Sequence, residues 1–483
     1  MRSSSFLASV CLAATLQGCA EPATGYRPGF SGDGDAVTHG DGDASAADPE
    51  EGDGDGDGDR VSPKPAKGDG DGDGDATGDG DGDGDGDGDS GTPGDGDAGE
   101  DLPTDGSLPK GVPADNGWTW VEMKASKCRN GSPAGYFYRK GTENSLMIFL
   151  NGGGACADKF FCSLNPVDVN HDLPIEYLSH GAPDLLFGVR EQRQQAPESG
   201  IFKRSDATNP VAKWNMVFVP YCTGDIHSGS RKDVTVKDVP GTQQFVGYLN
   251  YGLFLNSFGP TFKDSDKVLL TGSSAGGFGA LFNGDRTIEY FEKDSGQKKV
   301  FIISDSGVPF QDTYMAACLQ KRWRDYWGLN DALPKDCAAC FNADGGGIVK
   351  GYGTYLFNEK YAGRMLGGFV SSQKDEIIRG FYSPGLSAKA GQPDDCTLDP
   401  TWETIQVAVI GGARYDGDKF KAGLKDVIDN VVGQGKVATY TIPETPHMHL
   451  WRDRYYQENG NGQTIAAWVK DVLDGKATKS GEL

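Results

Sequence analysis

The sequence predicts an α/β fold: a mainly parallel sheet with helices on both faces and insertions above its carboxyl edge. Three observations carry this. Short apolar runs recur along the chain, each ending in a turn. Patterns of helical period lie between several of them. The acidity is confined to the first quarter of the chain and leaves a nearly neutral body long enough for one large core. Residues 20–117 hold 28 acidic and 5 basic side chains, whereas residues 118–483 hold 42 and 40, so the formal net charge of -24 describes the N-terminal stretch. Neither part has the basic footprint of a nucleic-acid binder.

In chain order, Arg2 precedes an apolar run from Phe6 to Leu16, then Gln17-Gly18-Cys19. The run is too short to cross a bilayer, which takes about 20 residues. A charged start, an apolar middle and small residues read as a secretory signal. Leu16-Gln17-Gly18-Cys19 resembles a bacterial lipobox. Residues 1–18 are therefore expected to be a lipoprotein-type signal peptide, with Cys19 as the lipidated N-terminus. The expected location is the outer membrane or cell surface of a bacterium, with a secreted protein as the alternative. Residues 19–117 are Gly-Asp-rich and nearly free of branched or aromatic side chains. Such a tract cannot offset the entropy of ordering and is expected to be a disordered acidic linker. A calcium role is the lesser reading, because the tract lacks the position-12 Glu of an EF-hand loop.

Residues 118–483 are expected to form one catalytic domain. Its apolar runs are Leu146–Leu150, Met216–Val219, Val268–Leu270, Val300–Ile303, Val407–Ile410 and Val437–Ile442. Helical patterns cover Phe278–Phe291, Phe420–Val432 and Thr464–Leu473. Two wide gaps, roughly 157–210 and 310–400, read as insertions. Ligands bind at the carboxyl ends of the strands in such sheets, so chemistry is expected in the loops after these runs. The body's eight cysteines are Cys128, Cys156, Cys162, Cys222, Cys318, Cys337, Cys340 and Cys396. An even number in an exported chain predicts disulfides of open connectivity. Cys337-Ala-Ala-Cys340 has no second pair to complete a zinc site, and neither metal nor cofactor is expected.

Gly272-Ser273-Ser274-Ala275-Gly276 fits the nucleophile elbow Gly-x-Ser-x-Gly, with an apolar run before it and a helical pattern after it. Small residues let the chain turn sharply and hold a serine hydroxyl clear of the backbone. Ser274 needs a base, normally a histidine held by a carboxylate. Of the six histidines, His39 lies in the linker, His171 and His180 in a gap, and His227 after Pro220-Tyr-Cys-Thr-Gly-Asp225. The order Ser, acid, His in this fold selects His447 or His449, after the last strand. For the acid, Asp416 is preferred, with Asp418 and Asp305 in reserve. Oxyanion donors are expected from Ala275 and from Asn151-Gly-Gly-Gly154-Ala155, whose glycines let amides approach a substrate oxygen.

These stretches, with Cys128-Arg-Asn-Gly-Ser-Pro-Ala-Gly-Tyr136, Trp214–Asp225 and Ser304-Asp-Ser-Gly307, resemble the pectin acetylesterase family, which includes the Notum carboxylesterases. The resemblance covers about residues 125 to 310. It implies an α/β-hydrolase fold and a Ser-Asp-His triad acting on esters. Carried over, Ser274 is the nucleophile, Gly154, Ala155 and Ala275 supply oxyanion amides, Asp416 is the acid and His447 the base. The chain departs from the family at Ala155, where members commonly carry Trp, and in lacking the family's cysteine pattern around His447. The implied function is removal of acyl groups, acetyl first, from a polysaccharide or other extracellular ester by a monomer touching the membrane only through lipid. The alternatives are a binding or adhesion protein on an inactive hydrolase fold, and a lipase- or peptidase-like serine hydrolase.

Overall fold

A computed structural model of the chain describes residues 117–169, 198–341, 345–385, 396, 415–432, 436–459, 462–476, 479–481 and 483. The signal segment, Cys19, the acidic linker, His39, His171, His180 and the run Val407–Ile410 lie outside the described residues. The other five apolar runs all fall on strands. In chain order these are β1 (Thr119–Met123), β2 (Ala134–Arg139), β3 (Ser145–Leu150), β4 (Asn215–Val219), β5 (Arg231–Val234), β6 (Gln243–Phe245), β7 (Lys267–Ser273), β8 (Val300–Asp305), β9 (Met365–Ser372), β10 (Lys436–Ile442) and β11 (Lys479–Ser480). The helices are α1 (Lys159–Ser163), α2 (Gly247–Phe262), α3 (Ala275–Phe282), α4 (Gly284–Glu292), α5 (Ala317–Trp327), α6 (Ile348–Thr354), α7 (Glu376–Tyr382), α8 (Gly417–Asp426) and α9 (Ile465–Leu473).

The main sheet runs β1-β2-β4-β3-β7-β8-β9-β10-β11. Strand β2 is antiparallel to both its neighbours, and from β4 to β11 every pairing is parallel. β5 and β6 form a separate hairpin. Strand order, parallel crossovers and the turn from β7 into α3 make this an α/β-hydrolase fold.

The central strands are apolar at consecutive positions because both faces are covered. Leu146, Ile148, Leu150, Val217, Val268, Leu270, Val300 and Ile302 point into one core with Phe254 and Phe258 of α2 and Phe278 of α3. Met147, Phe149, Met216, Phe218, Leu269, Phe301 and Ile303 point into the other, with Trp468, Val469 and Val472 of α9. Each fully buried side chain of this size contributes about 1.5–3 kcal/mol relative to exposure.

Two sequence expectations need revising. The pattern Phe278–Phe291 is two helices, parted at Asn283, where φ -95 and ψ 2 leave the helical region and the side-chain amide donates to the His227 carbonyl. The stretch 310–400 is not wholly an insertion, since it contains β9, between β8 and β10. Gly367 and Gly368 interrupt the apolar run of this strand and hide it from a reading of hydrophobicity. Both are required: a Cβ on Gly367 would run into the Ile302 carbonyl, and one on Gly368 into the Ala438 carbonyl.

Candidate active site

Strand β7 begins with Lys267-Val-Leu-Leu and ends with Thr-Gly-Ser273, apolar residues giving way to small ones. Ser274 follows at φ 59 and ψ -124, a conformation that costs a non-glycine residue of order 1–3 kcal/mol. The flanking glycines explain how the turn closes. A Cβ on Gly272 would strike the Gly276 and Leu150 carbonyls, and one on Gly276 the Leu150 carbonyl. Helix α3 starts at Ala275, whose N–H has no intrahelical partner and points back toward the serine.

The loop after β3 lies against this elbow. A Cβ on Gly152 would come within 2.8 Å of the Ser274 Cβ, so only glycine fits there. Gly154, at φ 82, is in the left-handed region. The Asn165 side-chain amide, on a buried residue, donates to the Gly153 carbonyl at 2.7 Å and fixes that peptide. Gly154 and Ala155 both border the space beside Ser274. His227 fixes the root of this loop: its Nε2 meets the Asn151 carbonyl at 2.8 Å and its ring packs on Tyr221. Complete burial lowers the pKa of His227 to about 4, so it stays neutral. Two disulfides brace the region, Cys128–Cys222 and Cys156–Cys162, and the others are Cys318–Cys396 and Cys337–Cys340.

Asp375 and His447 follow adjacent parallel strands. Past β9, the amides of Gln373, Lys374 and Glu376 donate to the carbonyls of Ile442, the last residue of β10, and of Glu444 and Thr445 beyond it. The two loops therefore run side by side. Asp375 is fully buried. Its Oδ1 accepts the amides of Ile377 and Ile378 at 3.0 and 2.9 Å, capping α7, and its Oδ2 takes His447 Nδ1 at 2.8 Å. His447 and Ser274 line one cavity of about 150 Å³ together with Asn151–Gly154 and Trp451.

The structure brings together Ser274, His447, Gly154, Ala155 and Ala275. It does not bring Asp416 to the imidazole. Asp416 is exposed and caps α8, accepting the amides of Asp418 and Lys419 at 2.8 and 2.9 Å. Asp418 is exposed and paired with Lys374 at 2.6 Å. Asp305 lies beneath the elbow and makes no hydrogen bond to His447 among the described residues. His449 is fully buried; its Nε2 meets Ser372 Oγ at 3.3 Å, and burial with Arg454 nearby lowers its pKa to about 3. The carboxylate on the histidine is Asp375, which sequence reasoning missed because β9 was not legible as a strand. The available signal was the Asp itself, three residues beyond a buried eight-residue strand.

A serine at a strained turn thus shares a cavity with a carboxylate-held histidine, and the sequence comparisons bear on the same segment. Residues 116–345 match the pectinacetylesterase family. The matched pectinacetylesterase segment contains the Ser274 elbow and the Asn151–Ala155 loop, and it stops before Asp375 and His447. Palmitoleoyl-protein carboxylesterase notum1a of Danio rerio is 29% identical over 256 residues, 49% of this chain and 46% of that protein. The human palmitoleoyl-protein carboxylesterase NOTUM is 31% identical over 171 residues, 34% of this chain and 30% of that protein. The chain thus spans less than half the length of these curated relatives. A solved structure of the Wnt deacylase Notum from Drosophila aligns with 74% of this chain and 92% of its own at 20% identity, TM-score 0.49. Family and relatives alike are esterases.

Proposed function

We propose that the chain is a serine carboxylesterase that removes a short acyl group, acetyl first, from an oxygen-rich extracellular ester such as an acetylated polysaccharide. The observation that carries this is the strained Ser274 sharing a cavity with His447, whose imidazole is held by the buried Asp375. His447 Nε2 takes the Ser274 proton as Oγ bonds to the ester carbonyl carbon. The amides of Gly154, Ala155 and Ala275 receive the oxyanion. Collapse breaks the C–O bond to the alcohol, which leaves with the proton from His447. Water, deprotonated by His447, then attacks the acyl-enzyme; the acid departs and Ser274 recovers its proton.

Acyl length is read from a second, apolar space that Ser274 also borders. It has a volume of about 30 Å³ and is walled by Ala155, Ala157, Phe161, Trp323, Ile378 and Phe381. A single water needs about 10–15 Å³ on the same scale, so an acetyl methyl fits and a long chain does not. The alcohol side is the larger cavity, where Arg452 and Arg454 set two cationic side chains against the one carboxylate of Glu376. Donors in excess suit a hydroxyl- and carboxyl-rich alcohol. For the remaining segment we retain a signal peptide to residue 18, lipidated Cys19, a linker to 117 and a catalytic domain over 118–483, acting as a monomer. Cys19→Ala should then abolish incorporation of labelled palmitate.

The decisive test is Ser274→Ala. It should abolish both p-nitrophenyl acetate cleavage and fluorophosphonate labelling while the circular dichroism stays that of the parent. Undiminished activity in that variant refutes the esterase reading, and a parent chain that never labels favours an inactive binding module.

A further inference from the structure

Asp305 and Ser306 stand where the three arms of the site meet. Asp305 closes β8, opposite Ser273 of β7 on one side and Val370 of β9 on the other. Its carbonyl accepts the amide of Ser274 at 2.8 Å. Its Oδ2 accepts Ser273 Oγ at 2.6 Å and the amides of His449 and Leu450 at 2.8 and 2.9 Å. Its Oδ1 accepts Ser306 Oγ at 3.0 Å. Ser306, at φ 51, donates its amide to the Val370 carbonyl at 2.8 Å, on the strand that leads to Asp375. The Ser306 Oγ in turn accepts the Met448 amide at 3.1 Å. Both residues are buried.

Four donors face the Asp305 carboxylate, an arrangement that favours an anionic acceptor. Burial pushes this carboxyl up from its ordinary value, and the donors hold it back. The segment that supplies two of these donors, residues 446–450, belongs to no helix or strand, and Met448 has φ 61. Such a segment keeps its place through bonds from outside itself. Proton transfer needs the serine and imidazole within about 2.6–3.2 Å. A misplacement of about 1 Å can cost about 100-fold in rate.

We propose that Asp305 is a positioning residue, an anionic node that sets the spacing of Ser274 and His447 by tying the residue before the nucleophile to the amides that follow the base. The role rests on the esterase reading above. Asp305→Asn keeps the shape but turns one acceptor into a donor facing other donors. With p-nitrophenyl acetate it should lower kcat about 100-fold and leave KM within about threefold, with fluorophosphonate labelling slowed in step. Ser306→Ala and Ser273→Ala each remove one strut and should lower kcat by about 5–20-fold at unchanged KM, and they carry the test if Asp305→Asn does not fold. A folded Asp305→Asn with kcat within threefold of the parent overturns the proposal. So does unchanged kcat in both serine variants, or a rise in KM as large as the fall in kcat. If Ser274→Ala still cleaves the ester, the esterase reading fails first and takes this role with it.

Discussion

Replacing Asp375 by Asn tests the assignment of the acid most directly. At the 2.8 Å separation of Asp375 Oδ2 from His447 Nδ1, a unit charge pair at an effective dielectric of about 20 is worth about 6 kcal/mol. That attraction exists only once His447 has taken the serine proton, so it belongs to the transition state. At 1.36 kcal/mol per tenfold, its loss corresponds to about 10⁴ in kcat. The tautomer acts in the same direction. The Asn oxygen can keep the Ile377 and Ile378 amides that Oδ1 now holds, which leaves its NH₂ facing Nδ1. Nδ1 must then accept, and the ring proton moves to Nε2, where a base is needed. We expect kcat for p-nitrophenyl acetate to fall about 10⁴-fold at neutral pH, with KM and the thermal midpoint little changed. Asp416→Asn, on the exposed cap of α8, should stay within about twofold, since Asn serves as well at that position. Asp375→Asn with more than a tenth of parental kcat, or a 10³-fold loss in Asp416→Asn, would refute the reasoning.

Three further expectations follow from the same geometry. Phe381 stacks on Phe161 with ring centroids 4.6 Å apart and closes the apolar space beside Ser274; Phe381→Ala should raise kcat/KM for p-nitrophenyl butyrate and hexanoate relative to acetate by tenfold or more, roughly 1–3 kcal/mol per methylene pocket, and an unchanged ratio in a chain-length series rejects the acyl-pocket assignment. The folded pKa of His449, about 3, lies below the unfolded value of 6.5, so between those values the unfolded state binds more protons and the stability this group contributes is lost as pH falls. Between pH 7 and pH 5 that amounts to about 2 kcal/mol. Urea titrations of parent and His449→Gln at the two pH values should show the difference between them moving by that amount in favour of the variant, and a constant difference speaks against a neutral buried ring. The Cys128–Cys222 bridge spans a sequence separation of 94 residues, so removing both cysteines should cost about 2–5 kcal/mol in the same titrations; a loss below about 1 kcal/mol means the loop is constrained otherwise.

What the sequence determined by itself is local. The Gly-Ser-Ser-Ala-Gly elbow is written in contiguous residues because a turn this tight tolerates only small side chains at fixed offsets. The Asn151–Gly154 loop is legible for the same reason, since its backbone must pass the elbow at contact distance. Strands β3, β7 and β8 announce themselves because burial on both faces demands unbroken apolar runs. Tertiary structure decided what depends on neighbours distant in the chain. Strand β9 carries glycines where the carbonyls of β8 and β10 leave no room for a Cβ, so its own hydrophobicity is diluted by its packing. Without that strand Asp375 reads as one acid among many, and Asp416 takes its place by following an apolar run. Burial likewise separates His447 from His449: residues two apart in an irregular segment face different surroundings, one the cavity beside Ser274 and the other the interior. The disulfide pairing and the convergence of donors on Asp305 are also tertiary, because each joins residues from separate elements. Sequence thus supplied Ser274 and its turn, and the order of the strands supplied the carboxylate of Asp375 that holds His447.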